Sequence, residues 1–418
     1  MSNVSIIGAY NTKFGVFAKK NKETKEVTDL KSYYELLQEA AQGAIDHAGL
    51  TADDIDAVWV GSCSPSLFAN QEHIGPLALE AAPEGLRFKP ATRTEGACAS
   101  SSLAVYDAVY SIEAGRNKTV LVIGAEKMSL LSTKGVTHAL ACSSYFPEEG
   151  GQGMTFPGLF AEYAKGYQKQ YGFSDEEIQS QLASVAALMY KNGLENPLAQ
   201  MTKGGPTDKL GLTTKEAIMA LPEEKNMMIA PPLRLHDCSL VSDGAAAIVL
   251  AAPEVAEKHK DKAVRIAGIG HTTERMPISV RPNMYELMAG KEAAKKAYAE
   301  AGITADDVDF AEVHDCFTIN QILCTEALGF SADGQAGKEY EAGRFGPDDE
   351  KVSVNLSGGL KAKGHPVGAT GASMHALSYL QLIGEPIGNT RAQQPKVGVI
   401  LNVGGSAVTN CVTVLKKD

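Results

Sequence analysis

AGLTADDIDAVWVGSC, residues 48–63, returns as AGITADDVDFAEVHDC at residues 301–316. Nine of the sixteen paired positions are identical, at a constant offset of 253 residues. Each copy reads as a helix end, a turn and a strand, so the chain is built from two related halves. Where two such halves meet, strand ends and loops face one another, and a site can form between them. The copies differ where chemistry can enter. Gly61-Ser62-Cys63 in the first becomes His314-Asp315-Cys316 in the second.

On either side of the repeat, helices and strands alternate. Helical periodicity covers 32–48 with Gly49 as a stop, 100–114 with Gly115 as a stop, 288–301 and 374–383. Short apolar strands are predicted at 5–9, 57–60, 119–124, 310–313 and 397–402. This alternation indicates α/β layers. Between the halves lies an insertion, roughly 126–232. It opens on turns around Gly150 and Gly151 and carries helical tracts at 160–171 and 175–191. Ser174 with Glu177 three residues on reads as a capping box. The polar stretch 206–226 is open to two readings, a lid over a ligand or a peripheral packing segment.

A chain of 418 residues can bury a large core and holds two or three domains. The net charge of −11 argues against a nucleic-acid partner, though not against a local basic patch for an anionic ligand. No stretch approaches the roughly 20 apolar residues of a membrane helix. The start, MSNVSIIGAY, lacks the charged and apolar blocks of a secretory signal. The seven cysteines, at 63, 98, 142, 238, 316, 324 and 411, have no Cys-x-x-Cys spacing. That argues against a disulfide framework or a zinc site in this chain. A cytoplasmic protein with no metal and no bound cofactor is expected.

Cys98 lies in EGACASSS, residues 95–102, just before an apolar-periodic helix. Small neighbours let a ligand approach the sulfur. A helix N-terminus favours the thiolate, so a lowered thiol pKa is expected there. The free N–H groups of such a terminus can also hold an oxyanion. His365 is a candidate partner, in the loop SGGLKAKGHPVGATG, residues 357–371. The following proline restricts its backbone, as suits a general base. The lysines of this loop make a phosphate cradle a second reading, without P-loop spacing. His314 and Cys316 alternate past a strand end and so share a face, which suits an oxyanion donor and a proton carrier. Asn402-Val403-Gly404-Gly405-Ser406 offers backbone N–H groups at a tight turn. Each residue also has a plain structural reading, as a packing or turn group.

Together, EGACASSS, HDCF (314–317), GGLKAKGHPVGATG (358–371), NVGGSA (402–407) and RLHDCSLVSDGAAA (234–247) resemble the thiolase superfamily. The matches run in the family's order across nearly the whole chain. HDCF stands where most thiolases have Asn-Glu-Ala-Phe, and Asn402-Val403-Gly404 where most have Cys-x-Gly. Both departures are similar to the sterol-carrier-protein-type and archaeal-type thiolases, which are acetyl-CoA acetyltransferase-like. The resemblance implies a thiolase fold: two related halves, each with a five-stranded mixed sheet, layered α-β-α-β-α. The N-terminal half would be 1–125 and 233–265, an inserted loop domain 126–232, and the C-terminal half 266–418.

The resemblance further implies coenzyme A thioesters as substrates. Cys98 would be the acylated nucleophile and His365 its base. Cys316 would move the α-carbon proton, and His314 would hold the enolate oxygen with His365. Backbone N–H groups of Cys98 and Gly404 would form the oxyanion hole. Tyr190, Lys203, Arg234, Ser357 and Gly358 are the expected substrate contacts, with Lys209 and Lys215 as further phosphate candidates. The acyl group is left between acetoacetyl-CoA and a bulky or aromatic 3-oxoacyl-CoA such as benzoylsuccinyl-CoA. Tyr190 stands where relatives often carry histidine, and Phe156, Phe160, Tyr163 and Tyr167 could line a larger pocket or simply pack. A decarboxylating ketosynthase-like enzyme and a non-catalytic acyl-CoA-binding scaffold are the competing readings. A homodimeric core is expected, with a small zinc-ribbon/OB-fold partner subunit that would own any zinc.

Overall fold

The computed structural model describes residues 3–417. The two copies of the repeat fold alike, for the same local reasons. Helices Tyr33–Ala48 and Met288–Ala301 each stop at a glycine in the left-handed region, Gly49 at φ 71° and Gly302 at φ 65°. The carboxylates of Asp54 and Asp307 then accept the N–H and hydroxyl of Thr51 and Thr304, closing the turn. Two residues further on, Asp56 accepts the N–H groups of Lys118 and Thr119 at 2.7 and 2.9 Å. Asp309 does the same for Lys396 and Val397, at 2.7 and 2.9 Å. The repeated aspartate thus ties each repeat to the start of the neighbouring strand.

Ten strands form one sheet, in the order Ser353–Val354, Phe310–Val313, Val397–Gly404, Thr409–Lys416, Val264–Thr273, Ser5–Asn11, Asp243–Ala251, Thr119–Lys127, Ala57–Gly61, Ala91–Thr94. Each half supplies five, with the outer strands parallel and the inner ones antiparallel. Within the sheet, the halves are joined where Ser5 pairs Arg265 and Ile6 pairs Val264. Just beyond, register shifts before Gly8 and Gly268 bend each strand. At those glycines an outer helix lies close: a Cβ on Gly8 would sit 2.6 Å from the Ala48 Cβ, and one on Gly268 2.3 Å from Ala297 O.

Helices Tyr33–Ala48 and Met288–Ala301 cover the outer faces, while Ser100–Glu113 and Thr370–Leu382 lie between the halves. All of Thr370–Leu382 is buried, as a helix enclosed on every side must be. It begins a turn before the predicted 374. Tyr106 reaches across to donate to Val412 O at 2.8 Å, so the first half's inner helix is bonded to the second half's sheet.

The segment after Lys127 carries helices Thr133–Ala141, Phe156–Tyr171 and Asp175–Leu194, and the reciprocal Ser174–Glu177 cap is present. The polar stretch 206–226 folds as two short helices, Pro206–Lys209 and Lys215–Met219, packed on Asp175–Leu194. Among the described residues no helix is long and apolar enough to cross a membrane.

Candidate active site

Cys98 sits in a 3-10 turn, Ala97–Ala99, that feeds helix Ser100–Glu113. Ala97 has φ 52°, a left-handed conformation that costs a non-glycine residue on the order of 1 kcal/mol or more. The turn is held by Ala97 N–H on the Glu95 carboxylate and by Ser100 Oγ on Ala97 O. The second half brings the rest. His314 follows strand Phe310–Val313, and its N–H donates to Leu401 O at 3.0 Å. His365 is held by its own N–H on Ser242 Oγ at 3.0 Å. The Cys98 sulfur and one ring nitrogen of each histidine all lie within 4.8 Å of one another. The two rings stand perpendicular, 5.1 Å between centroids. Among the described residues these three form the group that could also share a metal ion.

A cavity of about 120 Å³ opens on this cluster. Cys98, Cys316, His365 and Gly405 supply its polar edge, and its walls are apolar, from Met128, Leu140, Phe156, Leu240, Phe317 and Val367. All three parts of the chain contribute: the first half, the insertion and the second half.

Burial decides the electrostatics. Cys98 and His365 are 6% exposed and His314 1%. Burial pushes the Cys98 thiol up to about 12, against the opposing Gly405 N–H. The expected lowering by the helix N-terminus is therefore reversed, because a short 3-10 turn inside an apolar cluster offers less than desolvation takes away. Burial and nearby Lys363 pull His365 down to about 3, and burial with His365 holds His314 well below its usual range. Burial also raises the Cys316 thiol. At neutral pH the four groups are a neutral set.

The glycine turn 404–405 lies beside Cys98. Gly404 closes its strand opposite Thr409 and packs against the nucleophile turn, where a Cβ would meet Gly96 O at 2.2 Å. Gly405, at φ 64°, lines the cavity and offers its N–H to the Cys98 sulfur.

None of the five predicted substrate contacts lines this cavity. Tyr190 is buried, its hydroxyl 2.7 Å from His236 Nδ1 and accepting from Lys361 at 2.6 Å. Lys203 pairs with Glu195 at the surface, and Arg234 is taken up by Glu223, Gln179 and Asn226. Ser357 donates to Glu312, and Gly358 packs on Gly193. Lys215 pairs with Glu341. Of the four aromatics, only Phe156 lines the cavity. Phe160 stacks on Phe317 at 4.7 Å, Tyr163 accepts from Arg281, and Tyr167 donates to Glu326.

Several contributors escaped the sequence reading. The Thr370 hydroxyl donates to Pro366 O at 3.1 Å, so its oxygen accepts the Nδ1–H of His365 at 2.7 Å and leaves Nε2 an acceptor. Asp315, between the two HDC groups, accepts the N–H of Leu360 and Lys361 and so anchors the glycine-rich loop to the strand end. Burial raises it to about 7. Glu126, raised by burial to about 7, plays the matching part in the first half, binding Cys63 N–H, Ser62 Oγ and Gly368 N–H. The position of Asp315 inside the divergent end of the repeat was the signal available for it.

Two family models together span nearly the chain: "Thiolase, N-terminal domain" over residues 4–254 and "Thiolase C-terminal domain-like" over residues 270–417. The acetyl-CoA acetyltransferase of Methanothermobacter thermautotrophicus is 36% identical over 417 residues, covering 100% of both chains. That of Methanocaldococcus jannaschii is 37% identical over 420 residues, covering 99% of each. Human sterol carrier protein 2 is 29% identical over 98% of this chain and 71% of its own length. Two solved structures share the fold. The Ltp2-ChsH2(DUF35) aldolase superposes with TM-score 0.78 at 20% identity, over 99% of this chain and 98% of that one. A monomeric SCP2-thiolase like protein type 1 from Mycobacterium smegmatis gives 0.72 at 17%, over 100% and 78%.

Proposed function

The chain belongs to the thiolase family, and we propose that this CoA-dependent acyltransferase cleaves a short 3-oxoacyl-CoA with CoA, or runs the reverse Claisen condensation, through an acyl-Cys98 intermediate. One observation carries the reading: the Cys98 sulfur and the His314 and His365 ring nitrogens gather within 4.8 Å beside a cavity that Cys316 also lines.

In the cleavage direction, His365 Nε2 takes the Cys98 proton as the sulfur attacks the 3-keto carbon. The N–H groups of Cys98 and Gly405 meet the oxyanion. As the carbon–carbon bond breaks, His314 holds the enolate oxygen and Cys316 gives its proton to the α-carbon. CoA thiol then returns a proton to Cys316 and attacks the acyl-cysteine, and Cys98 recovers its proton from His365. The raised Cys316 pKa suits this step, since it keeps the thiol protonated until a basic carbanion forms.

The acyl group is short. An engineered apolar cavity of about 150 Å³ holds one benzene, and the cavity here is about 120 Å³. That favours acetoacetyl-CoA over a benzoylsuccinyl-type substrate, and the acetyl-CoA acetyltransferase relatives point the same way. A homodimer with a small DUF35-type partner is part of the same reading, supported by the DUF35 component of the aldolase of like fold.

A screen of 3-oxoacyl-CoAs, with and without the partner, tests this. CoA-dependent cleavage is expected for acetoacetyl-CoA, with acylated Cys98 found by mass spectrometry. Cys98→Ser should abolish acyl transfer and Cys316→Ala should slow exchange at the α-carbon. Full turnover by the Cys98→Ser variant would reject the assignment.

A further inference from the structure

Asn402 is wholly buried beside the reacting cluster, and the proposed reaction leaves it without a part. Its Oδ1 accepts the Ser102 hydroxyl at 2.8 Å. Its Nδ2 donates to Cys98 O at 3.2 Å and points at His314 Nδ1 at 3.0 Å. The amide cannot be turned round. With its ends exchanged, an oxygen would face the Cys98 carbonyl, which can only accept, while the Ser102 hydroxyl, able to donate or accept, fits either way.

A donor at 3.0 Å requires a lone pair on His314 Nδ1. A neutral imidazole with a lone pair on Nδ1 carries its proton on Nε2. Burial and the neighbouring His365 keep the His314 ring neutral. We infer that Asn402, oriented by Ser102 and the Cys98 carbonyl, is a positioning residue that makes His314 a dedicated Nε2–H donor toward the oxygen of a substrate bound against Cys98. His365 is set the opposite way by Thr370, as an acceptor on Nε2. Two perpendicular rings 5.1 Å apart are thereby given complementary work, one receiving the thiol proton and one stabilising an oxygen. The inference rests on the thiolase reading for the identity of that oxygen. The tautomer itself is independent of it.

Ring-nitrogen NMR of isotopically labelled histidine reads the tautomer directly, with His314 assigned by its loss in His314→Gln. The wild type is expected to show the Nε2–H form across the neutral range, and an Nδ1–H form would overturn the inference whatever the variants do. Asn402→Asp places an acceptor against Nδ1 and should move the proton there. Its kcat should fall about a hundred-fold, the scale of one lost oxyanion donor, with KM little changed. If that variant does not fold, Ser102→Ala frees the amide and should give a mixture of tautomers. His314→Gln keeps an N–H where Nε2–H was, so its activity should stay within about ten-fold of wild type while His314→Ala loses about a hundred-fold. Equal losses in the two would reject the donor role. The expected tautomer in a protein that cleaves no 3-oxoacyl-CoA would leave the positioning role standing and remove the proposed reaction.

Discussion

At the scale of single residues, Cys98 and His365 rest as neutral thiol and neutral imidazole. Cys98 is raised to about 12 and His365 lowered to about 3, both chiefly by burial. The neutral pair is therefore the dominant form at every pH between those values, and the thiolate grows as pH rises toward 12. Inactivation by iodoacetamide should accelerate steadily with pH, about ten-fold per unit, without a plateau near neutrality. A plateau there would reveal a preformed thiolate–imidazolium pair. Residue type and neighbourhood were enough to single out Cys98, His314, Cys316 and His365 in the sequence. They were not enough for the sign of the thiol shift, since a helix terminus is visible in sequence and an apolar shell around it is not. The same limit applies at the turn after the last-but-one strand: Gly404 and Gly405 are indistinguishable as letters, and only the fold shows that Gly405 offers its N–H to the Cys98 sulfur.

At the scale of elements, the repeat explains itself through backbone hydrogen bonds. Asp56 and Asp309 each accept two strand-start N–H groups at the same pair of distances. Asp56→Ala and Asp309→Ala should each destabilise by about 1.5–3 kcal/mol, the range for hydrogen bonds to a charged group, and by similar amounts. Urea denaturation checks this, and a loss from one variant alone would break the equivalence. Helix stops and caps were legible because they are local: Gly49, Gly115 and the Ser174–Glu177 box fall where the letters place them. Element lengths were less legible. Strands predicted at 119–124 and 397–402 run on to Lys127 and Gly404, and the helix predicted from 160 starts at Phe156. Those extensions include Glu126 and Lys127, which, like Asn402 at the predicted end of its strand, are polar residues buried because partners across the fold satisfy them.

At the scale of the whole molecule, the cavity is a joint product. Cys98 and Leu240 come from the first half, Met128 and Phe156 from the connecting segment, and Cys316, His365 and Gly405 from the second half. Phe156, with Phe317, gives this cavity its aromatic wall, and in the proposed reaction a longer acyl chain would meet it. Phe156→Ala should raise kcat/KM for a six-carbon 3-oxoacyl-CoA relative to acetoacetyl-CoA by about ten-fold or more, the scale of a hydrophobic pocket's discrimination. An unchanged ratio would place the acyl group elsewhere. Written in one dimension were the two-half plan, the alternation of layers and the four groups of the candidate site, because repeats, caps and loop composition act over a few neighbouring residues. The hydrogen-bond partners of both histidines, the burial of the thiol and the size of the cavity beside it were decided by folding alone. They depend on contacts between residues as distant as Cys98 and Asn402, 304 positions apart, and on the removal of water from around them, which no local pattern encodes.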